Sequence, residues 1–74
     1  MLATGRIDLI AQTSRYIYLI ELKLRNNGGK KAAIQQILDN QYLEPFKVDK
    51  RKVIGLGIEL DEEGKGILDW GITS

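Results

Sequence analysis

Apolar and polar positions along the chain change period several times, and each change marks an element. Residues 6–12 (RIDLIAQ) alternate, with Ile7, Leu9 and Ala11 on one face and Asp8, Ile10 and Gln12 on the other. That period of two predicts a strand carrying one acid. Residues 16–24 (YIYLIELKL) form a longer apolar, aromatic and β-branched run, a buried strand interrupted by Glu21 and Lys23. Thr13, Ser14 and Arg15 make the turn between the two, so an antiparallel hairpin is expected. Arg25-Asn26-Asn27-Gly28-Gly29 breaks the second strand with residues suited to turns and helix entry. Residues 30–43 then read as a helix, with Ala33, Ile34, Ile37, Leu38 and Tyr42 on one stripe and Pro45 as its stop. Phe46 and Val48 are expected to pack under the following loop. Residues 51–60 (RKVIGLGIEL) are a second buried strand, and Gly55 and Gly57 share a face that something approaches closely. A polar turn at 61–66 leads to a last strand at 67–72 (ILDWGI), with Trp70 and Tyr42 expected in the core.

The order β-β-α-β-β predicts an α/β (α+β) domain with a mixed sheet. Its strand–helix–strand step should be a right-handed crossover between parallel strands. Register in the hairpin matters for the chemistry. With Ser14-Arg15 as a two-residue loop, Thr13 faces Tyr16 and Asp8 falls opposite Glu21, with Cβ atoms about 5 Å apart. A three-residue loop would turn Asp8 to the other face. The even loop is favoured because it also aligns Ile7, Leu9 and Ala11 with Tyr18, Ile20 and Leu22, the expected core face.

Composition narrows the possible chemistry. The 74 residues suit a single domain, which at this size buries only about 60% of its unfolded surface. There is no Cys and no His. That excludes disulfides, thiolate or imidazole zinc sites and histidine-based triads. Any metal must be a hard cation on oxygen ligands. Net charge is only +1, yet it is unevenly spread: residues 47–52 hold four bases and one acid, and residues 59–63 hold four acids. Lys47, Lys50, Arg51 and Lys52 are either a solvated loop or an edge that contacts phosphate. Gly28-Gly29-Lys30 lacks the remaining residues of a phosphate-binding loop. With no transmembrane-length run and no leader pattern, a soluble, cytoplasmic protein is expected.

Glu21 and Lys23 lie on one strand face, roughly 7 Å apart at Cα. An acid and a base in a central strand are costly unless paired or bound to something. The residues alone leave two readings, a structural ion pair with Asp8 as third member or a catalytic cluster. Gln36 is either a solvated helix position or part of that cluster.

Gly5-Arg6-Ile7-Asp8, then Glu21-Leu22-Lys23 on the next strand, then a helix with Gln36, resembles the PD-(D/E)xK nuclease superfamily. More narrowly, GRIDLIAQT, YIYLIELKL, AAIQQI and QYLEPF resemble the nuclease-like module that follows an AAA-type ATPase domain in many uncharacterised bacterial proteins. The resemblance runs from Gly5 to about Trp70. It implies a restriction endonuclease-like core lacking the first helix and strand, with the chain a fragment, a remnant or a minimal version completed by a second copy. It further implies Asp8 and Glu21 as ligands of Mg²⁺ or Mn²⁺, Lys23 as the residue that positions water and neutralises phosphate, and Gln36 at the rim. The substrate would be DNA, with RNA as second choice. The alternative is a module that no longer cleaves and serves in docking. In the RecB-like branch Gln and Tyr stand four apart, whereas Gln36 and Tyr42 are six apart. An unpaired edge at residues 6–12 and an uncovered sheet face predict a homodimer or larger assembly.

Overall fold

The computed structural model describes residues 7–74. The chain forms β1 (Leu9–Gln12), β2 (Tyr16–Leu24), α1 (Gly29–Asp39), β3 (Lys52–Leu60) and β4 (Ile67–Thr73), with single 3-10 turns at Arg25–Asn27 and Glu44–Phe46. The strands make one sheet in the order β1-β2-β3-β4, antiparallel, parallel and antiparallel in turn. The β2 to β3 connection contains α1, which packs on one face of the sheet. No helix among the described residues is long and apolar enough to cross a membrane.

The hairpin has the two-residue loop expected of it. Leu9 pairs with Ile20 and Gln12 with Ile17. Thr13 holds the turn closed: its N–H donates to the Tyr16 carbonyl (2.8 Å), and its Oγ1 accepts the N–H groups of Tyr16 (2.9 Å) and Arg15 (3.2 Å). Such a hydroxyl turn replaces the glycine a tight loop ordinarily uses. β1 is shorter than expected, because the chain bends at Asp8, and Gly5 and Arg6 lie outside the described residues.

The core sits on the face opposite to the expected one. Ile17, Leu19 and Glu21 are buried beneath α1, while Leu9 is 54% exposed and Tyr18, Ile20 and Leu22 are only half-buried. β2 is apolar on both sides, so alternation alone does not choose a face. β3 does, because Gly55 pairs with Leu19 and Gly57 with Glu21. A Cβ at Gly57 would lie 2.8 Å from Ile34 Cγ1 and 3.1 Å from Ala33 Cβ, so the helix can approach only over these glycines. The close packing expected at Gly55 and Gly57 is therefore the helix itself. Ile37, Tyr42 and Leu43 complete the core, with Ile7, Phe46 and Val53 against it.

Three further expectations are corrected. The helix ends at Asp39 and not at 43, because Gln41 adopts a left-handed φ of 54° after the Asn40 cap. This turn swings Tyr42 and Leu43 back to the core, and Pro45 opens the following 3-10 turn instead of stopping the helix. Val48 is 92% exposed, so Phe46 alone packs inward. Trp70 is 61% exposed, because β4 presents it on the face that α1 does not cover.

Candidate active site

Glu21 is the most unusual side chain in the structure. It is 2% exposed, and its Oε1 is buried with no hydrogen-bond partner among the described residues. Its Oε2 accepts a hydrogen bond from Gln36 Nε2, which α1 delivers from above. Burial, and secondarily the Asp8 charge, push the Glu21 carboxyl above its ordinary range, against the pull of the Asp8 main chain, Lys23 and Gln36. Asp8, just before β1, turns its Oδ2 onto the Leu22 N–H at 2.9 Å. That amide lies beyond the last paired residue of β1, so the carboxylate satisfies an edge donor that the strand leaves open. Lys23 follows Glu21 by two positions, is half-buried, and belongs to none of the ion pairs among the described residues. The fold thus brings Asp8, Glu21, Lys23 and Gln36 together at one end of the sheet.

The profile of the PD-(D/E)XK nuclease superfamily matches residues 1–70. The chain belongs to the PD-(D/E)XK nuclease superfamily. No curated protein and no solved structure matches it.

Members of this superfamily generally depend on a divalent metal. The donor set here suits a small hard cation. Asp8 and Glu21 offer oxygens only, and Oε1 of Glu21 is a buried acceptor in want of a partner. Among the described residues no group of three or more acidic, His or Cys side chains gathers anywhere. A site with one or two carboxylates is typical of Mg²⁺, which keeps several waters and takes substrate phosphate oxygens as further ligands.

A second cluster flanks the site, and the sequence reading missed it. Glu59 pairs with Lys23 across the parallel strands. Its carboxylate accepts the Lys30 N–H at 3.0 Å, at the start of α1, and Arg25 Nε at 2.8 Å. The Lys30 amide, then the Arg25 guanidinium, hold it below the usual carboxylate range. Lys30 Nζ in turn meets Asp69 at 2.9 Å. The positive end of α1 is thereby occupied from within. Recognising this requires the β2/β3 register, which no local pattern supplies.

The basic run lies elsewhere. Lys52 pairs with Tyr16 at the far end of β2, five positions from the Glu21–Gly57 pair, hence roughly 16 Å from Glu21 along the strands. Lys47 is bridged to Glu44, and Arg51 clasps Asp49 through both Nε (3.0 Å) and Nη2 (2.8 Å). Lys50 and Lys52 enter no ion pair among the described residues. The Arg51 hydrogen bonds lower the Asp49 carboxyl to about 2. Because this folded-state pKa is depressed, the clasp's contribution is full above the ordinary value of 3.8 and is lost as pH falls through about 2. An NMR titration of the Asp49 carboxyl carbon is expected to give a midpoint near 2, rising in Arg51→Ala but staying below 3.8, because the main-chain N–H of residue 51 still donates to the carboxylate.

Proposed function

We propose that this domain hydrolyses phosphodiester bonds in DNA, with Mg²⁺ or Mn²⁺ held by Asp8 and Glu21. The observation that carries the reading is the buried, unpaired Oε1 of Glu21, set beside Asp8 and an uncommitted Lys23. When bound, a divalent ion there supplies Lewis acidity to the scissile phosphate and lowers the pKa of a water. Gln36 holds the other Glu21 oxygen and so fixes the carboxylate plane. The Leu22 amide does the same for Asp8. Lys23 donates to a phosphate oxygen and offsets the negative charge that develops as the phosphorus gains an oxygen. Lys50 and Lys52 lie far enough away to engage the backbone several nucleotides from the cut, where they contribute affinity without sequence preference. The narrower resemblance of the strand and helix segments supports an AAA-type ATPase as the working partner.

A second reading has its own support. The Glu21 carboxyl is shifted toward its neutral form, and a neutral Glu21 bonded to Gln36 needs no metal to be stable. On this reading the domain docks nucleic acid or protein and does not cleave.

The test is nicking of supercoiled plasmid by the purified chain in Mg²⁺ and in Mn²⁺. Lys23→Ala should slow cleavage by about 100- to 1,000-fold while leaving Mn²⁺ binding by calorimetry intact. Asp8→Ala should remove both. Plasmid left intact in either metal, together with Mn²⁺ binding indifferent to Asp8, decides for the docking module.

A further inference from the structure

The sheet has two unlike faces. Glu21, Lys23, Glu59 and Asp69 lie on the side of α1 or at its rim. The opposite face takes the alternate positions of all four strands, Leu9 and Ala11 through Tyr18 to Leu56, Ile58, Trp70 and Ile72. Apart from Lys52 at the start of β3, no charged side chain stands at these positions. Nothing among the described residues covers them: Trp70 is 61%, Ile72 62% and Ile67 65% exposed. Between them runs a groove of about 370 Å³ lined by Tyr18, Leu56, Ile58, Ile67, Trp70 and Ile72. Soluble monomers seldom leave so continuous an apolar surface open to water.

We propose that this face docks against the same face of a second copy of the chain, forming a two-fold sheet-on-sheet dimer. Size supports it. The molecule measures 36 × 28 × 15 Å, so its broad face offers up to roughly 1,000 Å², against about 800 Å² per partner in a stable interface. Charge supports it too. The face carries a single charge, Lys52 at its corner, so a charged partner of either sign finds almost nothing there to pair with. The loops at 47–52 and 61–65 and the outer side of α1 are all charged. Among the described residues, the surface of this chain that matches the apolar face is that face itself, which is the condition for an isologous contact. Two such sheets pack about 10 Å apart with strands crossing near 30°. The groove has room for a large side chain, since a cavity of about 150 Å³ already holds benzene. Trp70 stands at its rim. The dimer leaves both Glu21 sites facing outward, on the far side of each sheet from the contact.

Mass by sedimentation at tens of micromolar is expected to be that of a dimer. The single Trp of the chain reports directly, with emission moving to longer wavelength as dilution separates the copies. Trp70→Glu and Ile72→Lys, both at highly exposed positions, should each weaken the dimer about 30-fold or more with unchanged circular dichroism. Ile10→Pro, on the free edge strand at a position whose N–H points away from β2 and whose side chain lies on the other face, should leave it intact. Should either charged variant lose its fold, the wild-type dilution curve still decides. A wild-type monomer overturns the proposal, as does a dimer lost in Ile10→Pro and retained in Trp70→Glu, which would mean edge pairing.

Discussion

Glu21→Gln is expected to stabilise the metal-free fold at pH 7 while removing metal-dependent cleavage. The wild-type carboxyl is buried with one oxygen unpaired, and its folded-state pKa is raised chiefly by that burial, then by Asp8. The native state therefore binds its proton more tightly than the unfolded chain does. The stability this provides is full below the ordinary value of 4.5 and is lost as pH rises through the folded pKa. Glutamine has nearly the same shape and no charge, so it escapes that loss and can still accept from Gln36. The difference between variant and wild type should vanish below pH 4.5 and grow toward neutrality in urea unfolding. Mn²⁺ reverses the order. At 100 times its Kd it should stabilise the wild type by about 2.7 kcal/mol and the variant by almost nothing. Changes one shell out from a metal cost about 10- to 100-fold, so loss of a direct ligand should cost at least about 100-fold in rate. Unchanged Mn²⁺ affinity in Glu21→Gln, or a variant less stable than wild type at pH 7, contradicts Glu21 as a strained metal ligand.

Gly57→Val should cost the most stability of any single change considered. A Cβ there meets Ile34 Cγ1, Ala33 Cβ and the Ile34 main-chain nitrogen at 3.1 Å or less, and valine adds two methyls to that crowding. The backbone of α1 cannot rotate aside as a side chain can. Overpacking of this kind costs about 3 kcal/mol. The whole fold has about 4–11 kcal/mol, at roughly 0.05–0.15 kcal/mol for each of its 74 residues. Thermal unfolding should shift down by about 12–24 °C. Gly55→Ala makes the useful contrast, since its Cβ meets Thr73 Cγ2, which can turn at the end of β4, and Ile37 Cγ2 at 3.1 Å, which need yield only slightly. A drop under about 4 °C in Gly57→Val would show that α1 is not seated as described.

The helix seat also explains what could and could not be read from residues alone. The even hairpin loop forms although the face that favours it in the sequence is not the core, and Thr13 is what closes it. The β2 run and the close approach at Gly55 and Gly57 follow from local signals, the apolar stretch and the glycines themselves. Joining the last of these to the first would have identified the buried face, because the glycines select whichever side of β2 aligns with them. That alignment depends on where the crossover sets β3 down, and neither strand carries that information by itself. Gln41 conceals the helix end for a different reason: it takes a left-handed turn without being glycine or asparagine, while Leu38 and Tyr42 keep a helical spacing across the break. Trp70 is expected in the core because an apolar residue on a strand normally marks it, and here it marks the open face. Within the site, Glu21 and Lys23 share a face by simple alternation. The bend that aims Asp8 at Leu22 and the reach of Gln36 to Glu21 exist only once three elements have met.

The parallel pairing has a consequence for how the molecule comes into being. β1 with β2, and β3 with β4, are hairpins of near neighbours, which close within microseconds. Tyr16 and Leu24, by contrast, pair with residues 36 places further on. Closing that long loop is the slow, entropically expensive step. All four candidate site residues precede it in the chain, Gln36 last among them. As the chain leaves the ribosome, its charged centre is complete in composition while still without form. It is assembled only when the strand bearing Gly57 arrives to give α1 its seat.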